Sequence, residues 1–221
     1  MLVPELIAQS YQQAVGEATP PAVGDENYKL LFNSANLFID TWQDEEGVDW
    51  ESLWDRTTLN TPVTATDEFP IDKTVVRKLS TKKKSVYITC TNGNVVDFKV
   101  VKPSDLNKGG KRVALKSGKL KFAEAFSNSS ECIGGAITFS YYGFAPKLVD
   151  ATSEVPVDQA WWLVFMVAAE FASKDYTRQN LAPDLIAQAN AIMKSMIANN
   201  NQEEDPSIDH GDWQPLSETF R

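Results

Sequence analysis

VPVDQAWWLVFMVAAEFASKDYTRQNLAPDLIAQANAIMKSMIA, residues 155–198, reads as two consecutive helices and sets the architecture of the chain. In Val155-Pro156-Val157-Asp158-Gln159-Ala160 the proline suits a first helical turn, where its missing N–H has no intrahelical partner. The run from Ala160 to Ala169 is apolar on every face, so the helix needs protein on all sides, from its own fold or from neighbouring subunits. It is too short for a bilayer, which needs about 20 apolar residues, and Asp158 and Glu170 bound it. Pro183-Asp184 starts the second helix, whose Leu185, Ile186, Ala189, Ile192, Met193, Met196 and Ile197 form one apolar stripe.

Outward from this pair, the N-terminal region is helical too. Pro4 to Val15 predicts a short helix, ended by Thr19-Pro20-Pro21. Asp25 to Trp42 carries Tyr28, Leu31, Phe32, Ala35, Phe38, Ile39 and Trp42 at helical steps, which predicts a core helix. Asp49 reads as the N-cap of another short helix that shows Trp50, Leu53 and Trp54 on one side. After Thr57 the period changes to two. Strands are predicted at Leu59 to Thr66, Thr74 to Ser80, Ser85 to Thr91, Val95 to Lys102, Arg112 to Lys116, Lys119 to Ala123 and Ala136 to Tyr142. Asn92-Gly93 marks a tight hairpin. The expected fold is α+β: a helical bundle with an inserted antiparallel β domain, sandwich or barrel. Its parts are an N-terminal helical region (1–57), the β domain (58–150), the helical pair (151–198) and a flexible C-terminal tail (199–221). The polar run Asn199 to Pro206 reads as a linker, and Trp213, Leu216 and Phe220 beyond it as anchors that order on a partner.

The formal net charge of −9 conceals a split. Lys73 to Lys121 holds 14 Lys and Arg against two acids, while the rest of the chain is strongly acidic. Such polarity fits two surfaces with different partners, or head-to-tail contact between copies. Arg77, Lys82, Lys83, Lys84, Lys111 and Arg112 are the candidates for contact with DNA or an acidic partner. The alternative is a solvated turn, or pairing with an acidic neighbour, because aromatic residues that would stack bases are sparse there. Trp161, Trp162, Phe165, Met166 and Phe171 are candidates for core or subunit interface.

Catalytic chemistry has no visible basis. The single histidine, His210, lies in the tail; no phosphate loop, cysteine pair at metal-ligand spacing or nucleophile elbow occurs. Asp44-Glu45-Glu46 and Glu203-Glu204-Asp205 lack the spacing of a metal loop. The reading is therefore no enzyme, no cofactor and no metal. Cys90 and Cys132 are expected as buried thiols of a protein made in a reducing compartment. The start, Met-Leu-Val-Pro-Glu-Leu, predicts no secretory signal, and no stretch predicts a membrane span.

The order of elements carries a resemblance. Gly135 to Tyr142 as a last strand, then Lys147-Leu148-Val149-Asp150, then Val155-Pro156 before an aromatic helix, resembles the head-to-tail adaptor (connector) proteins of tailed bacteriophages, including the tail tubular protein A type of short-tailed phages. The resemblance covers about residues 25 to 200. It implies a structural virion protein at the head–tail interface, assembled in the host cytoplasm. Such adaptors form a ring, typically of twelve copies, on the portal protein; the ring extends the DNA channel towards tail nozzle or tail completion proteins and meets packaged DNA transiently. Carried over, the helices at Asp25 to Trp42, Val155 to Ser173 and Pro183 to Ala198 would pack laterally round the ring, with Trp213, Leu216 and Phe220 as tail anchors. The competing readings are a nucleic-acid-binding module built on the basic β domain, and another tail or receptor-binding virion protein.

Overall fold

Four α-helices and eight strands follow one another along the chain of the computed structural model, which describes residues 1–203. The chain divides into two units, one made of residues 1–38 with the segment from Leu148 onward, the other of residues 39–147. The expected α+β class holds.

In the first unit, α1 (Val3–Val15) follows Leu2, whose N–H donates to the Glu5 carboxylate at 3.2 Å. It ends at Gly16, where φ is 79° and the N–H reaches the Gln12 carbonyl at 2.8 Å. This left-handed cap is strained for any residue with a Cβ. α2 (Glu26–Gln43) lies in the first unit as far as Phe38. α3 (Ala160–Lys174) packs on both α1 and α4 (Ala182–Glu203). The apolar run of α3 buries Trp162, Leu163, Val164, Val167, Ala168, Phe171 and Ala172, and Tyr11 of α1 meets Phe171 edge-on with ring centroids 5.7 Å apart.

Two expectations are corrected here. Pro156 does not open α3, which begins at Ala160. The segment before it is held extended instead: Val3 N–H donates to the Ser153 carbonyl, Val155 N–H donates to the Met1 carbonyl, and Leu2 bridges Glu154. Pairing with the N-terminus thus delays the helix by a turn. At the other end, α4 continues past Ala198 to Glu203, so the first residues of the expected linker are helical. The anchors Trp213, Leu216 and Phe220, and His210, lie outside the described residues.

The second unit is built round one sheet. β1 (Trp54–Thr58), β2 (Glu68–Pro70), β3 (Val76–Leu79), β4 (Val86–Thr89), β5 (Val95–Val100), β6 (Arg112–Lys116), β7 (Lys119–Phe122) and β8 (Ala136–Gly143) are arranged in the order β1-β8-β4-β5-β6-β7-β2. β8 is the hub. One edge takes β1, and the other takes β4 over Ala136 to Phe139 and then β3 over Tyr141 to Gly143. The sheet curls so that Phe69, Val76, Val86, Ile88, Val113, Leu120, Phe122, Ile137 and Phe139, drawn from six strands, share one core. A flat sheet would hold these strands too far apart.

The sheet is mixed, which corrects the antiparallel expectation: β5 and β6 are parallel. The 3-10 helix Pro103–Lys108 makes the crossover, since parallel neighbours cannot be joined by a tight turn. The strand expected at Leu59 to Thr66 is irregular, β1 ends just before it, and β2 was not anticipated. Asp49 starts no α-helix; a single 3-10 turn at Glu51–Leu53 leads directly into β1. Residues 39–57 belong with the sheet rather than with the N-terminal helices. The reason is packing: Trp50 stacks on Trp42 at 5.1 Å and its indole N–H donates to the Trp42 carbonyl at 2.7 Å.

Candidate functional site

Acidic residues just after α2 are set against the basic strands. Asp44, Asp49 and Glu51 accept from Arg77, Lys78 and Lys82 respectively, at 3.0 Å for Arg77–Asp44 and 2.6 Å for Lys82–Glu51. Lys78 also lies over the Tyr142 ring, 5.3 Å from its centroid. A second group forms where β2 meets β7: Lys119 pairs with Glu68 and Lys121 bridges Asp67 and Glu68. Hydrogen bonding from Lys119, then Lys121, holds the Glu68 carboxyl below its ordinary value, and the Asp67 bond holds Lys121 above its own. Exposed pairs of this sort add little to stability. Their larger effect is to neutralise, within the unit, much of the segment that is so basic in sequence.

The six basic candidates therefore part company. Arg77 and Lys82 are engaged by Asp44 and Glu51. Arg112 donates from Nη1 to the Asp105 carbonyl at 2.9 Å. Lys83, Lys84 and Lys111 are exposed and make no ion pair among the described residues. Lys84 sits in the turn between β3 and β4 with φ 58°. The acidic partners were visible in the sequence as Asp44-Glu45-Glu46 and Asp49, but their distance along the chain hid the match.

Lys111 and Arg112 border an open cleft of about 500 Å³ whose floor includes Val96, Phe98, Phe122 and Phe126. Phe98 and Phe122 meet edge-on at 4.8 Å, which fixes that floor. Ser127, Ser130, Glu131 and Cys132 supply one wall, and Glu131 in it accepts from the Asn94 side chain at 3.2 Å. Nothing in the sequence pattern joins these segments. The cleft offers apolar area beside charge. Burial raises the Cys90 thiol to about 11, so it is protonated at neutral pH. Among the described residues no group of three or more His, Cys, Asp or Glu gathers to hold a metal, and no helix is long and apolar enough to cross a membrane.

The aromatic candidates on α3 divide by face. Trp162 is 3 % exposed and Phe171 is buried, both as core. Trp161 is 44 % exposed, and its ring lies 5.7 Å from that of the half-buried Phe165 one turn on. Met166 is half-buried as well. The exposed Ile186 on α4 adds a further apolar residue to the surface of the same unit.

No family model matches this chain, and no curated protein matches it in sequence.

Proposed function

We propose that the protein is a ring-forming structural subunit, a head-to-tail adaptor of a tailed phage that joins the portal to the tail. The single observation that carries the reading is the division of the chain, in which terminal helices from both ends make one unit and the sheet is inserted between them. The helices would form the lateral bundle of the ring, and the exposed Trp161 beside the half-buried Phe165 suits burial against a neighbouring copy. The tail with Trp213, Leu216 and Phe220 would dock on the portal. Lys83, Lys84 and Lys111, without an ion pair among the described residues, would face acidic partners above or below, or DNA in the channel.

The test mixes purified protein with candidate portal rings and examines the product by mass photometry and negative-stain microscopy. A regular ring stacked on the portal is expected. Failure to bind any portal, together with salt-sensitive binding to duplex DNA, overturns it in favour of a nucleic-acid-binding module. That second reading draws on Lys83, Lys84 and Lys111, exposed and without an ion pair among the described residues.

A further inference from the structure

We infer that Cys90 and Cys132 form a closable dithiol, oxidised by a low-molecular-weight disulfide to an intrachain bond that locks the cleft wall to the β4–β5 hairpin. The two residues are 42 positions apart in sequence, yet their sulfur atoms lie 3.6 Å apart. Closing to a bond of about 2.05 Å needs a shift of roughly 1.5 Å, within reach of side-chain rotation and small loop adjustment.

The surroundings hold the pair in place. Cys132 belongs to the segment before β8, whose Gly134 and Gly135 bind Val63 through both backbone directions, Gly134 N–H to the Val63 carbonyl and Val63 N–H to the Gly135 carbonyl, each at 2.9 Å. Gly135 approaches so closely that a Cβ there would meet the Thr89 carbonyl oxygen at 2.6 Å. From the other side, Cys90 N–H donates to the Asn94 carbonyl and Gly93 N–H to the Cys90 carbonyl, fixing the hairpin tip. Both thiols are buried, but Cys132 lines the cleft, which gives a small oxidant its route.

The order of events follows. Cys132, as thiolate, attacks one sulfur of the small disulfide; that S–S bond breaks and the first small thiolate leaves. The Cys90 thiol then loses its proton and attacks the Cys132 sulfur, releasing the second small thiolate. The two protons end on the two small thiols, so two protein thiols and one small disulfide become one protein disulfide and two small thiols. Burial holds Cys90 protonated, which suits it to the second role, where the target sulfur is already adjacent.

The experiment incubates the full-length protein with oxidised glutathione, with a phosphine reductant as control, and follows intact mass, peptide linkage and thermal unfolding. Expected is a monomer lighter by two hydrogen atoms, with Cys90 and Cys132 peptides linked and a melting temperature raised by about 10 °C. Cys90→Ala should stop at a glutathione adduct on Cys132, and Cys132→Ala should leave Cys90 unreacted in the native state. Retention of both thiols, a stable glutathione adduct on the unsubstituted protein, or a bond that leaves the melting temperature unchanged or lower overturns the proposal. The mass and linkage readings need no variant, so a poorly folding variant does not spare it.

Discussion

The carboxamide of Asn36 holds the backbone of Leu148 from both sides, donating from Nδ2 to its carbonyl at 3.0 Å and accepting its N–H on Oδ1 at 2.9 Å. A side chain thus supplies the pairing that a strand neighbour would give, 112 positions away in sequence. Asn36→Asp keeps the acceptor but turns a carboxylate towards the Leu148 carbonyl, and Asn36→Ala leaves both backbone groups unpaired. Each is expected to cost about 1–3 kcal/mol in urea unfolding. Equal stability of the aspartate variant at neutral pH would contradict the two-sided contact.

Adjacent tryptophans on α3 should behave oppositely. Trp162→Ala removes a buried ring and is expected to destabilise by about 3–5 kcal/mol. Trp161→Ala should change stability by less than about 1 kcal/mol while weakening, on the proposed adaptor reading, assembly on the portal. Unfolding curves paired with mass photometry of the ring separate the two effects. A Trp161 variant that assembles at the normal concentration removes α3 from the subunit interface.

The acid screen on the basic strands is open to direct removal. Asp44→Asn, Asp49→Asn and Glu51→Gln together release Arg77, Lys78 and Lys82 from their carboxylates. Duplex DNA binding at low salt should rise, with a log K against log salt slope steeper by up to about three, since each added phosphate contact contributes roughly 0.9. An unchanged slope would mean that the freed cations do not reach a polyanion.

Stability should also fall at both ends of the pH scale, with signs set by separate groups. Hydrogen bonding from Thr74, Lys108, Thr152 and Thr177 lowers Asp72, Asp105, Asp150 and Asp175, and Glu68 is lowered by Lys119. A depressed carboxyl contributes stability above its unfolded value, which is lost as pH falls through the folded value, so urea midpoints should decline below about pH 4. Cys90 is raised by burial; its contribution is full below the ordinary thiol value of 9.0 and is lost as pH rises through about 11. Cys90→Ala should flatten part of that alkaline limb. Midpoints that stay level from pH 5 to pH 3 would count against the carboxylate account.

Local signals recovered the helices and turns where local physics decides. The 3.6-residue stripe from Tyr28 to Trp42 became α2, and Asn92-Gly93 turns β4 into β5. What sequence did not reveal depends on partners far along the chain. Pro156 looks like a helix start until the N-terminus pairs with Glu154. The parallel joint of β5 and β6 rests on a 3-10 crossover with no strong motif of its own. In the basic run, Arg77 and Lys82 find acids distant in sequence, whereas Lys83 and Lys84 do not among the described residues. The aromatic cleft gathers Phe98 of β5 against Phe122 and Phe126, which no single stretch announces.

β8 receives β1, β3 and β4 yet is the last of the described strands to leave the ribosome. Until Gly143 has emerged, the three earlier strands lack the neighbour that joins them, and their edges stand open. Synthesis therefore imposes an order: the sheet closes late, through contacts of long sequence separation, and chaperone demand should be greatest during that interval. Chains stalled with residues 136–143 still inside the ribosome would be the aggregating species, whereas chains stalled after Gly143 has emerged would be able to join these strands.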